Sequence, residues 1–159
     1  MPLIDPGRKA PAFSLKDQTG QTHRLADYAG RPVVLFFYPK DDTPGCTKEA
    51  CAFRDQLPKF TGHKAVVLGI SGQDEASKAK FAGKYGLTFP LLADEQYEIA
   101  EKYGVWQKKW LYGRTFMGVS RTTYLIGSDG RVLQRWDQVK VDGHADDVLA
   151  AVAGLWKPS

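Results

Sequence analysis

The sequence predicts an α/β fold in which helices flank a central mixed sheet, and three observations predict it. Two apolar runs, Val33 to Tyr38 and Ala65 to Ile70, lie on either side of a helix that opens at Pro44. Unbroken apolar runs of this length read as strands covered on both faces. Strand–helix–strand then gives a parallel pair with a right-handed crossover. Downstream, Thr122 to Ile126 and Val132 to Trp136 read as strands joined through Ser128-Asp129-Gly130, a hairpin signal. The chain has 159 residues, with no internal repeat, low-complexity tract or linker, so a single domain spanning 1–159 is expected.

In chain order, Ala10 to Leu15 and Gln21 to Leu25 read as two short strands around the turn cluster Asp17-Gln18-Thr19-Gly20, an N-terminal β-hairpin. Leu25 to Ala29 fits one helical turn closed by Gly30. In the helix from Pro44, Ala50, Phe53 and Leu57 recur at helical spacing and should face the core, and Pro58 should kink or end it. Asp74 to Tyr85 is a polar helix whose packing set is Ala79, Phe81, Ala82 and Tyr85, ended by Gly86. Pro90 to Ala93 is a short strand and Glu95 to Tyr103 a short helix. Val105 to Val119 shows no clear period and reads as a long loop. The last helix begins near His144, with Asp146 and Asp147 at its positive end and Val148, Leu149, Val152 and Leu155 as its buried stripe.

Both cysteines of the chain, Cys46 and Cys51, fall where strand gives way to helix. Pro39 ends the ladder because it has no N–H to donate. Thr43-Pro44 is a helix-opening pair: a hydroxyl able to cap, then proline where its missing N–H costs nothing. Cys46 therefore falls in a first helical turn, beside unpaired N–H groups and the positive end of the helix dipole. A thiolate is favoured there, and the thiolate is the reactive form. The alternative is a small buried hydrophobe, inert and chosen for size. A core cysteine, however, has no need of a proline-bounded loop that exposes it.

Bulk properties narrow the classes. No apolar run approaches the ~20 residues of a membrane helix. The start, Met-Pro-Leu-Ile-Asp-Pro-Gly-Arg, has no basic region followed by an apolar core, so no secretory signal is visible and the cytoplasm is the expected location. The net charge of +4 is spread along the chain with Asp and Glu between the basic residues, which speaks against a nucleic-acid face. The densest basic patch, Lys108-Lys109-Trp110-Leu111-Tyr112-Gly113-Arg114, interleaves cations with aromatics and is the one stretch with single-strand-binding character. Two cysteines are too few for a disulfide-stapled scaffold or a structural zinc site. His23, His63 and His144 are scattered and complete no metal spacing. They leave a base for a cysteine protease open, but no protease signature surrounds Cys46. A redox pair is the remaining economical use.

The spacing Pro39-x-x-x-Thr43-x-x-Cys46 resembles the active-site signature of the peroxiredoxins, which are thiol peroxidases. The string Phe37-Tyr38-Pro39…Thr43-Pro44-Gly45-Cys46-Thr47…Glu49-Ala50-Cys51…Phe53-Arg54-Asp55 is similar to their Q-type, or bacterioferritin comigratory protein, branch. The similarity continues through Phe89 to Asp94, Tyr103 to Trp106 and Gly118 to Ile126. The strand order alone permits other α/β folds; the resemblance selects a thioredoxin-like one.

It also implies roles. Cys46 would be the peroxidatic nucleophile. Thr43 would offer its hydroxyl to the thiolate or the peroxide, a simple N-cap being the alternative. Pro39 would shield the sulfur, against plain strand termination. Arg121 would bring a permanent, five-donor charge to the thiolate and to the developing oxyanion, against an ordinary surface position. Glu49, three residues after Cys46 on the same helix face, would orient Arg121, against a solvated helix site. Cys51 would resolve the sulfenic acid as a disulfide, and a thioredoxin-like dithiol would recycle it. Substrates would be hydrogen peroxide and organic hydroperoxides, with no cofactor or metal, no nucleic-acid or membrane partner, and a monomeric chain. A redox-switched sensor or holdase would use the same cysteine pair; repeated turnover with a reductant separates the two.

Overall fold

The computed structural model describes residues 1–155, and the strand that leads to Cys46 lies in the middle of its sheet. In chain order the elements are β1 (Ser14–Lys16), β2 (Thr22–Arg24), a 3-10 turn (Leu25–Tyr28), β3 (Val33–Phe37), α1 (Pro44–Gly62), β4 (Val66–Ser71), α2 (Glu75–Tyr85), β5 (Leu91–Ala93), α3 (Glu98–Lys102), β6 (Trp106–Leu111), β7 (Arg114–Val119), β8 (Thr122–Ile126), β9 (Val132–Trp136) and α4 (His144–Ala153). The central sheet has the order β5-β4-β3-β8-β9. β3 pairs parallel with β4 and antiparallel with β8, so the sheet is mixed as expected. β1 and β2 form the N-terminal hairpin.

The apolar run of β3 is explained by burial on both faces. Val34, Phe36 and Tyr38 join a core with Phe53 and Phe60 of α1, Phe81 of α2, and Val148 and Val152 of α4. Val33, Leu35 and Phe37 face the opposite core, with Phe13, Ile99 and Tyr103. Phe36 stacks on Phe53 with ring centroids 4.7 Å apart, which docks α1 squarely against the strand that precedes it. Burying each such ring contributes roughly 2–3 kcal/mol.

Four expectations need correction. First, 105–119 is no loop: β6 and β7 pair antiparallel across Tyr112-Gly113. Both turn residues have positive φ, 51° and 77°, the two-residue turn that matches strand twist. Its pattern was masked because Trp110, Leu111, Phe116 and Met117 are exposed, so apolar and polar residues do not alternate. Second, Pro58 does not end α1; the helix continues to Gly62, and Phe60 packs in the core. Third, the buried stripe of α2 is Lys78, Phe81 and Ala82, with Tyr85 packed beside them, while Ala79 faces solvent. Fourth, Leu155 is exposed beyond the end of α4.

Candidate active site

Strand register assembles the site. Pairing of β3 with β8 sets Phe37 opposite Thr122, so the residue before β8, Arg121, arrives at the end of the sheet where β3 runs into Pro39. The Arg121 carbonyl accepts the Val139 amide at 3.0 Å, which fixes its backbone. In α1 the first helical bond runs from the Thr47 amide to the Thr43 carbonyl at 2.8 Å. The amides of Gly45 and Cys46 precede that ladder and have no carbonyl within the helix to donate to. The loop does not expose Cys46 as expected: the residue is buried, 1% exposed, because it belongs to the core cluster of Tyr38, Ala50 and Phe53.

Arg121 divides its fork between two partners. Nη2 donates to the Cys46 sulfur at 3.4 Å and Nη1 to Glu49 Oε1 at 2.9 Å. Burial would lower the Arg121 pKa, but Glu49 and Cys46 outweigh it and hold the guanidinium charged. Gly45 makes the approach possible: a Cβ there would lie 3.1 Å from Nη2. A second cation, Lys109 of β6, has its pKa lowered by burial and by Arg121 and raised by Cys46, which places it in the same field. Its stem lies over Gly118, where an added Cβ would meet its Cδ at 3.3 Å.

Glu49 is itself 1% exposed, and its Oε2 has no hydrogen-bond partner among the described residues. Burial pushes its carboxyl up from 4.5 to about 7, against the pull of Arg121. Between those two values the folded chain holds a proton that the unfolded chain has released. The contribution to stability is therefore fully present below pH 4.5 and lost as pH rises through about 7. The shift corresponds to roughly 3 kcal/mol. Glu49→Gln should flatten this dependence: denaturant unfolding at pH 5 and pH 8 should show a smaller loss in the variant than in the parent. Equal losses would remove Glu49 as the titrating group.

The remaining predicted residues are placed as follows. Thr43 does not cap α1 with its side chain; its hydroxyl donates to the Lys40 carbonyl at 2.9 Å, closing the loop on itself. Its oxygen lone pairs still have acceptor capacity, and rotation would be needed to offer the proton elsewhere. Pro39 is half-buried at the strand end. Cys51 is half-buried on the same unbroken helix as Cys46, and both thiols are free. Sequence reasoning missed the polar group behind the loop, Tyr38, Asp41, Ser71, Ser77 and Lys78. A signal existed: Lys78 stands three residues before Phe81, on the apolar stripe of α2.

The AhpC/TSA family model matches residues 6–135. Peroxiredoxin Bcp of Bacillus subtilis is 44% identical over 152 residues, covering 96% of this chain and 97% of that protein. Peroxiredoxin Bcp of Escherichia coli K12 is 41% identical over 143 residues, covering 90% and 92%. Among solved structures, the bacterioferritin comigratory protein of Xanthomonas campestris, studied for its alkyl peroxide reduction activity, superposes with a TM-score of 0.89 at 38% identity, covering 94% of this chain and 98% of that one.

Proposed function

We infer the chemistry of this site from the premise that the chain belongs to the AhpC/TSA family and, within it, to the bacterioferritin comigratory protein branch of the peroxiredoxins. The family is one of thiol-dependent peroxidases of thioredoxin-like fold. The observation that carries the reading to residues is the 3.4 Å contact between Arg121 and the Cys46 sulfur at a helix start.

In our reading the Cys46 thiolate attacks the terminal oxygen of a hydroperoxide. The O–O bond breaks as the S–O bond forms, leaving a sulfenic acid and, once a proton is taken up, water or an alcohol. Negative charge moves from sulfur to the departing oxygen, within reach of the fork that Glu49 steadies. Pro39 keeps solvent from the sulfur, and Thr43 orients the peroxide. The Cys51 thiol then condenses with the sulfenic acid, releasing water and forming a disulfide. A dithiol reductant, thioredoxin or one like it, returns both thiols by exchange and leaves oxidised itself. Hydrogen peroxide and organic hydroperoxides are both substrates in this reading, the latter supported by the alkyl peroxide activity of the Xanthomonas relative.

NADPH consumption with thioredoxin, its reductase and hydrogen peroxide tests the cycle. Consumption that depends on this chain is expected. One equivalent of oxidation without cycling would return the sensor reading instead.

Arg121→Lys keeps the charge and loses the planar fork, whose two nitrogens hold sulfur and Glu49 in fixed geometry. Peroxide reduction should slow by roughly a hundredfold, the scale of losing one donor to a developing oxyanion, with the far-ultraviolet spectrum unchanged. A parental rate in the folded variant would remove Arg121 from the mechanism.

A further inference from the structure

The loop between β3 and α1 is held from behind. Lys78 of α2 has a side chain with no solvent exposure. Its ammonium donates to Ser71 Oγ at 2.6 Å, to Tyr38 Oη at 3.2 Å, and to the Asp41 carboxylate at 3.2 and 3.4 Å. Asp41 also accepts the Tyr38 hydroxyl at 2.5 Å, Ser77 Oγ at 2.8 Å and Ser71 Oγ at 3.3 Å. The Asp41 amide donates to Gln73 Oε1 at 3.0 Å. Asp42, at a φ of 55°, is clamped to the end of the same helix by Tyr85 Oη at 2.7 Å and Lys84 Nζ at 2.9 Å. On the far side, Arg54 of α1 donates to the Tyr85 carbonyl at 2.6 Å.

We propose that the buried Lys78–Asp41 pair is a positioning device for Cys46: it moors the Pro39–Asp42 side of the loop to α2, so that the sulfur-bearing turn hinges at Thr43. Three observations lead there. A buried ion pair is seldom more stable than apolar residues of the same volume, so stability alone does not account for this one. The ring of Tyr38 lies in the same core cluster as Cys46, while its hydroxyl ends on Asp41 and Lys78. One side chain thus links the mooring to the packing around the sulfur. Finally, α2 is tied to the chain on both sides of the cysteine segment, to the loop at Asp42 and to α1 at Arg54. Between those ties the turn is held by Arg121 on Cys46 and Glu49, and by the exposed Lys48–Asp142 pair.

Burial pushes the Lys78 pKa down while Asp41 pulls it back, and burial followed by Asp41 drives Tyr38 well above its usual value.

The inference rests on Cys46 as the peroxidatic nucleophile, and the test separates the two. Single substitutions would strand a buried charge, so the variant is Asp41→Ala with Lys78→Met. It should melt within a few degrees of the parent. Its Cys46 should be oxidised by hydrogen peroxide roughly ten- to a hundredfold more slowly, the scale of an ångström-level misplacement. Amide exchange over residues 40–47 should quicken in the reduced protein, while β3 and β4 keep parental protection. A folded double variant with parental oxidation and exchange rates overturns the proposal. If the double variant does not fold, Tyr38→Phe keeps the ring against Cys46 and removes only the linking hydroxyl; it should oxidise several-fold more slowly, and a parental rate overturns the proposal equally. A parent whose Cys46 does not react with peroxide would instead refute the peroxidase reading, and the exchange comparison would still test the mooring.

Discussion

Cys46→Ser is expected to abolish peroxide turnover. A serine hydroxyl is not ionised at neutral pH and attacks an O–O bond poorly, so the Arg121 fork would face a neutral, weakly nucleophilic oxygen in place of a thiolate. The fold should survive, because serine differs from cysteine by one atom and Arg121 retains Glu49 at 2.9 Å as a partner. Cys51→Ser should behave differently. It should still reduce one equivalent of peroxide, since Cys46 and Arg121 are untouched, and then stall with thioredoxin. Stopped-flow oxidation separates the first step, and the coupled NADPH assay reads the cycle. A Cys46→Ser variant that kept cycling would show that the nucleophile is elsewhere.

The second large effect is conformational. α1 runs without a break from Pro44 to Gly62 and carries both cysteines. Five residues on one helix separate Cα atoms by roughly 8–9 Å. A disulfide does not close beyond ~7 Å, and five residues also turn the two side chains to different faces. The proposed Cys46–Cys51 disulfide therefore requires at least the segment Thr43 to Ala50 to unwind. The buried partners of that segment, Ala50 and Phe53 in the core and Glu49 on Arg121, are contacts the opening disturbs. Slow opening has a consequence of its own, since excess peroxide can carry the waiting sulfenic acid on to sulfinic acid. The oxidised form should show lower helix content by circular dichroism, and faster amide exchange across Thr43–Phe53 than the reduced form. Identical exchange in both states, with the Cys46–Cys51 bond confirmed by mass spectrometry, would sink the idea.

What was readable in the sequence, and what was not, divides along physical lines. β3 and β4 were legible because strands buried on both faces have little choice but apolar residues. The start of α1 was legible from Thr43-Pro44, but the Thr43 hydroxyl was not: capping forward and bonding back to a carbonyl three residues earlier are equal local options for threonine. Arg121 lies 75 residues from Cys46, and only the family resemblance joined them, since no periodicity reports which strand ends meet. Ala79 reads as the packing residue in place of Lys78 because lysine is ordinarily a surface residue. The helical spacing of Lys78, Phe81, Ala82 and Tyr85 pointed inward all the same. The hairpin of β6 and β7 escaped because it wears its apolar residues outside.

The pairing that sets Phe37 opposite Thr122 bears on the life of the chain before it is folded. During synthesis Cys46 emerges long before Arg121, and until β8 docks beside β3 the two have no reason to meet. A nascent or unfolded chain therefore carries a thiol with an ordinary cysteine's slow response to peroxide. In the mechanism proposed above, oxidant sensitivity is switched on by completion of a long-range strand pair, so a denatured sample should lose its peroxide reactivity together with its tertiary structure, with every atom of both side chains still present.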